Sequence, residues 1–286
     1  MGWTVTTNLE EYLAEAGEFL RADPAENTVP LSVIETLRAQ GTDVYGDATA
    51  RFGWWQSEAG VVGGVFLHTR PYPLLLSAMP ESAAQELAEF LAHQQIPLLG
   101  VNADQTAAQA FATTWKDHTG AASHVGMHQR LYRLERLSQP KPLPQGTSRI
   151  AMAHDRDLVL AWHEAFHHES LGPESVNTTV IEDKLNYGGI TLWEVEGVPV
   201  SMAGRTRVVA GMARVAPVYT PPGHRRQGFG AAITATLTQT ALDAGAREVV
   251  LFTDLANPTS NNIYQRLGYR ALSDRLMLIF SPRNNP

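Results

Sequence analysis

The chain has 286 residues, enough for two domains that each bury a core. Hydrophobic residues make up 44% and charged residues 18%, with a net charge of −7 and no cysteine. This is an ordinary globular composition. It counts against nucleic acid as a partner and rules out disulfides, thiolate metal sites and a cysteine nucleophile.

No apolar run reaches the roughly 18 residues of a membrane span, so no membrane partner is expected. The opening MGWTVTTNLEEYL lacks the basic and apolar regions of a signal peptide. Gly2 and Thr6 fit a myristoylation pattern, but bulky Trp3 and acidic Glu10 and Glu11 count against it. A cytoplasmic location is expected.

In chain order, Asn8 is an N-cap for a helix over residues 9–22, with Leu9, Leu13, Ala16 and Leu20 at helical spacing. A second helix is expected over 30–40. Strands are expected over 52–57, 61–69 and 74–79, a helix over 81–94, a strand over 97–102, a helix from Asp104 to His118, and a returning strand over 121–134. Residues 138–146, SQPKPLPQG, hold three prolines in nine residues and read as a semi-rigid linker.

Beyond the linker the plan repeats. A strand is expected over 148–153, helices over 156–170 and 174–187, and a hairpin over 190–205 turning at Glu196-Gly197. A strand over 211–220 leads into a helix over 231–244. A strand over 249–253, a helix over 261–267 and a last strand over 275–280 close the second half. The expected division is 1–137, linker 138–146 and 147–286, an internal repeat of about 140 residues.

One stretch stands apart: VAPVYTPPGHRRQGFGA, residues 215–231. A strand is cut by Pro221 and Pro222, turns through basic residues and glycines, and enters a helix. The first turn of a helix has backbone N–H groups without partners and partial positive charge, so an anion fits there. Gly228 and Gly230 allow close backbone approach. The spacing is neither G-x-G-x-x-G nor G-x-x-x-x-G-K-[ST], which sets aside a Rossmann or P-loop site.

Arg225-x-x-Gly228-x-Gly230 resembles the Q/R-x-x-G-x-G/A motif of the GNAT N-acetyltransferase superfamily. Asn257-x-x-Ser260-x-x-Ile263-Tyr264-x-x-Leu267-Gly268-Tyr269 resembles a second signature of that family, with serine in place of the usual alanine. The resemblance implies an α/β chain of two tandem GNAT-like domains, each a twisted mixed sheet flanked by helices. It implies acetyl-CoA as co-substrate and an amine as acceptor, with direct attack on the thioester. Backbone N–H groups from Arg226 through Gln227, Gly228, Phe229 and Gly230 to Ala231 would face the diphosphate, with Arg225 beside them. Val218, Tyr219 and Thr220 would offer their backbone to the pantetheine arm, and Asn257 would contact the carrier. Tyr264 would protonate the departing thiolate.

The N-terminal copy departs from the pattern. After its third strand it reads Pro80-Glu81-Ser82-Ala83-Ala84, with no glycine, no arginine and an acid that repels phosphate. It is expected to have lost the carrier.

The general base is open. Many relatives place a glutamate on the strand before the loop, but residues 211–220 contain no Glu, Asp or His. The helix over 156–170 offers His163, Glu164, His167, His168 and Glu169; of these, Glu164 and His167 are taken as the catalytic candidates. His163-Glu164-Ala165-Phe166-His167 is also literally H-E-x-x-H, a zinc pattern. Its third ligand is missing at any convincing spacing, Glu182 being the available one. Two alternatives therefore stand beside acetyl transfer: an acyl-CoA sensor without chemistry and, more remotely, a zinc hydrolase. The acidic balance favours a cationic small-molecule acceptor, and the chain is expected to be a monomer or homodimer.

Overall fold

A computed structural model describes residues 2–46, 48–170 and 176–281. The repeat is present in its element order. The first copy runs β1 (Gly2–Thr6), α1 (Leu9–Ala22), α2 (Thr28–Gln40), β2 (Arg51–Gln56), β3 (Val62–His68), β4 (Leu74–Leu76), α3 (Glu81–His93), β5 (Gly100–Asp104), α4 (Gln105–Thr119) and β6 (Ser123–Leu134). The second runs β7 (Thr147–Ile150), α5 (Arg156–Ser170), α6 (Thr178–Asn186), β8 (Ile190–Val195), β9 (Val198–Arg205), β10 (Met212–Tyr219), α7 (Phe229–Asp243), β11 (Glu248–Asp254), α8 (Pro258–Arg266) and β12 (Tyr269–Phe280). Each copy thus reads strand, two helices, three strands, helix, strand, helix, strand.

The opening strand β1 was not anticipated. It pairs antiparallel with β2, Trp3 opposite Trp55, and the Trp3 indole donates to Ala83 O at 2.8 Å. The alternation in GWTVT is too short to register as a period by itself. The helix expected from Glu174 begins at Thr178, where the Asn177 side chain accepts from Val180 N; residues 171–175 lie outside the described residues.

The chain forms two compact units, and their limits differ from the expected division. Unit 1 is Met1–Leu131 with Asp254–Ala256 and Leu272–Pro286; unit 2 is Tyr132–Thr253 with Asn257–Ala271. The linker therefore belongs to unit 2, and most of the last strand belongs to unit 1. The reason is register and burial. Residues Arg275–Ile279 of β12 pair antiparallel with Asp104–Gly100 of β5. Leu276, Leu278 and Phe280 join the core made by α3 and α4. Phe280 stacks on Trp115 at 5.7 Å and on Phe111 at 6.3 Å. Burying such side chains is worth about 1.5–3 kcal/mol each.

Within unit 1 the strand order is β1-β2-β3-β4-β5-β12; within unit 2 it is β11-β10-β9-β8-β7. In unit 2, α7 packs on one face over Val200, Ala203, Ala213 and Val215. The other face is covered from α5 and α6, where Val159 and Ile181 meet Leu192, Met202 and Tyr219.

Candidate active site

The site grows from a strand that leaves its partner. β10 pairs in parallel with β11 only over Met212–Val215. The register of β10 on β9 shifts between Val215 and Val218, and pairing resumes at Val218 with Ala203 and Tyr219 with Met202. The edge of β10 toward β11 is thus unpaired from 216 to 219. Ser201 Oγ fixes the end of the open stretch, donating to Tyr219 O at 3.0 Å and lying 2.8 Å from Thr220 Oγ1.

Beyond Thr220 the chain makes a short turn at Pro222–His224 and enters α7. Arg226 has φ +63° and Gly228 φ +87°. A non-glycine residue held in the left-handed region is uncommon and costs energy that its surroundings must supply. Left-handed residues in such a turn line up successive N–H groups as an anion nest. Gly228 is the N-cap of α7 and caps nothing by side chain. The first helical bond at this end is Ala232 N to Gly228 O at 3.0 Å. Phe229 is buried in the core and anchors the turn. A Cβ on Gly230 would meet only Thr220 Oγ1, at 3.6 Å, so the space over the turn is open.

Arg225 points across this mouth. Its Nε donates to Thr220 O at 2.8 Å, and its Nη2 reaches both oxygens of Glu169 at 2.8 and 2.6 Å. The Tyr219 hydroxyl donates to the same carboxylate at 3.3 Å, and the Arg225 guanidinium lies 5.8 Å from the Tyr219 ring centre. Burial first, then Glu169, raise the Tyr219 hydroxyl above its ordinary range. Glu169 and Arg225 are each 42% exposed, so their bond is weak, about 0–1 kcal/mol, and a stronger anion can displace the carboxylate.

Tyr264 lies on α8 and is buried, its ring 6.2 Å from that of Tyr269. Among the described residues its hydroxyl makes no hydrogen bond, and burial pushes its pKa up to about 12. It is a protonated donor with no acceptor of its own. Asn257 is the N-cap of α8, its Oδ1 accepting from Ser260 N at 3.0 Å, which leaves its amide N–H groups for other work.

On α5, His163 is buried. Its Nδ1 lies 2.9 Å from Val159 O, and its Nε2 has no partner. Burial, then the charge of Lys184, push it down to about 4, so it is neutral at pH 7. Glu164 is exposed and His167 is half-buried. No group of three or more His, Asp or Glu residues able to hold a metal occurs among the described residues.

Two features of this region carry no sequence signal. Glu169 is one acid among several on α5, and only the fold sets it on Arg225. Lys184, in an ordinary amphipathic helix, donates to Ala216 O of β10 at 3.0 Å. Burial, then Arg214, hold its pKa down to about 8.

Residues 156–269 match the family model described as Acetyltransferase (GNAT) family. No curated protein matches the chain. Solved structures with the same fold include a GCN5-related N-acetyltransferase from Kribbella flavida, 23% identical, covering 87% of this chain and 95% of that one, TM-score 0.54. A Drosophila protein is 14% identical over 99% of both chains, TM-score 0.72. A tandem GNAT protein from the clavulanic acid biosynthesis pathway is 12% identical over 99% of both, TM-score 0.58. No helix among the described residues is long and apolar enough to cross a membrane. The chain has the tandem GNAT fold, and residues 156–269 carry its match to the GNAT acetyltransferase family model.

Proposed function

We propose that unit 2 transfers an acetyl group from acetyl-CoA to the amine of a small molecule by direct attack, and that unit 1 does not bind the carrier. The observation that carries this reading is the open edge of β10 running into the left-handed turn at the mouth of α7. An extended pantetheine arm can add to residues Val218–Thr220 as a strand partner. The N–H groups from Arg226 to Ala231 can take the diphosphate, with Arg225 turning from Glu169 onto phosphate oxygen, which it binds in a bidentate manner. Asn257 would steady the carrier from the other side.

In this reading the acceptor amine attacks the thioester carbonyl while a backbone N–H near Val218 supports the developing oxyanion. Carbon–sulfur cleavage then sends the electron pair to sulfur, and Tyr264 gives it a proton. A positioned donor of this kind contributes about 10²–10⁴ in rate. For an amine of pKa ~10.4, deprotonation at pH 7 costs about 4–5 kcal/mol, so a base is needed. His167 and Glu164 are our candidates, His167 the better placed because Glu164 faces solvent.

The lack of any Asp, Glu or His on β10 favours a second reading, an acyl-CoA-binding protein without chemistry. Calorimetry with acetyl-CoA and an assay of thiol release over an amine panel separate the two. Binding with acceptor-dependent thiol release supports transfer; binding without it supports the sensor; no binding defeats both.

A further inference from the structure

Unit 1 holds a cavity of about 410 Å³ that the acetyl-transfer reading does not use. Three connections meet there: the approach to β2 at Ala48, the turn from β3 into β4 at His68, Arg70 and Tyr72, and the approach to β5 at Pro97 and Leu98. β4 and β5 run parallel, Leu74 opposite Val101, so the cavity lies at their N-terminal ends. The head of α3, the counterpart of the mouth of α7, follows the C-terminal end of β4. The two places are at opposite ends of that strand.

Two polar side chains in the cavity have no partner in the fold. Arg70 is half-buried; its Nε is shut off from solvent with no acceptor, and its guanidinium makes no ion pair among the described residues. His68 is 2% exposed, and its ring makes no hydrogen bond among the described residues. Arg51 stands opposite it in register on β2. Burial first, then the charges of Arg51 and Arg70, push His68 down to about 4, so its ring is neutral at pH 7. Among the described residues no Asp or Glu lines the cavity.

The volume falls in the range of small-molecule sites, about 300–1,000 Å³. Tyr72, Pro97 and Leu98 give it apolar walls that suit a flat or branched hydrocarbon body. One guanidinium matches a single negative charge and takes a carboxylate in bidentate fashion. A neutral imidazole adds an N–H donor without a second charge. A diphosphate would bring more charge than one arginine balances.

We propose that this cavity binds a small monocarboxylic acid with an aromatic or branched apolar body, its carboxylate on Arg70 and its body against Tyr72, Pro97 and Leu98. The site is independent of acetyl transfer in unit 2.

The test is calorimetric titration of the full chain with benzoate, phenylacetate and 3-methylbutanoate, each beside its primary amide, and with inorganic phosphate. At least one acid should bind about tenfold or more tighter than its amide and than phosphate, the size of one charge-assisted hydrogen bond. Arg70→Met should abolish that preference while keeping the denaturant midpoint, because Arg70 has no bond in the fold to lose. Ala48→Trp, which fills the space, should weaken the acid by about tenfold or more. Both variants should keep acetyl-CoA affinity within about twofold. No acid binding by wild type, amide or phosphate bound as tightly as the acid, or equal acid binding by Arg70→Met overturns the proposal. Should Arg70→Met not fold, Ala48→Trp decides: acid binding that survives the filled cavity overturns it, and its loss supports it.

Discussion

The two copies place a strand, a turn and a helix in the same order and finish them differently. In unit 2, β10 separates from β11 beyond Val215, and the turn before α7 has left-handed residues at Arg226 and Gly228. In unit 1, β4 pairs with β5 at Leu74 and Leu75 and ends at Leu76. The place where those strands would part is filled. Arg275 of β12, 4% exposed, donates through Nη2 to Leu76 O at 2.8 Å and to Asn102 O at 3.1 Å, and through Nε to Asn102 Oδ1 at 3.2 Å. One guanidinium bridges the carbonyls of both strands, where an extended ligand would need them. At the head of α3, Pro80 makes no side-chain cap, Glu81 brings negative charge, and Ala83 and Ala84 donate their N–H groups back to Pro80 O. In unit 1 a side chain of the fold itself takes the hydrogen bonds that an open strand edge would leave unmade.

The sharpest way to break this contrast is Gly230→Asp, which sets a carboxylate in the mouth of α7. Acetyl-CoA affinity measured by calorimetry should fall by about 100-fold or more, as an unpaired charge facing a diphosphate requires. Glu81→Gln in unit 1 should change it by less than about twofold. An unchanged affinity in Gly230→Asp would place the carrier elsewhere.

Next is Tyr264→Phe. It should lower kcat by about 10² and leave acetyl-CoA affinity within about twofold, because the hydroxyl has no structural bond to lose. A fall in affinity with kcat unchanged would make Tyr264 a packing residue.

Arg275→Met removes the bridge in unit 1 and leaves buried carbonyl oxygens without donors. A loss of about 1–3 kcal/mol in stability is expected by denaturant unfolding, with acetyl-CoA affinity unchanged. No loss of stability would mean that β4 and β5 hold together without it.

The smallest contrast is in acid. α1 starts from neutral Asn8, whose Oδ1 accepts from Glu10 N and Glu11 N. The entry to α5 is held by the buried carboxylate of Asp155, which accepts from Arg149 at 2.6 and 2.8 Å and from Met152 N at 2.7 Å. The Arg149 bonds, opposed by burial, hold Asp155 down to about 2. Its pKa is below the unfolded value of about 3.9, so the stability it contributes is present above that value. That stability is lost as pH falls toward about 2 and amounts to about 2 kcal/mol. Asp155→Asn should abolish this part of the acid sensitivity, read as melting temperature between pH 5 and pH 2. Identical acid profiles for variant and wild type would refute it.

Much of the candidate site is legible in the sequence because its parts are local. A turn that needs left-handed residues selects glycine at 228, and a helix start selects Asn257, so the motif residues show in the sequence. Glu169 and Lys184 could not be read in this way. Their partners, Arg225 and Ala216, are distant in sequence, and nothing in a helix repeat says which acid or lysine will face them.

By itself the sequence determined the repeat, nearly every helix and strand, and the glycine-rich turn before α7, because periodicity, caps and turn chemistry act over a few residues. Only the tertiary structure decided that the last strand closes the first unit, that Arg275 fills the gap there, and that Lys184 meets β10. Those depend on strand register and on which groups share a buried space, and both are settled by the packing of residues far apart in the chain.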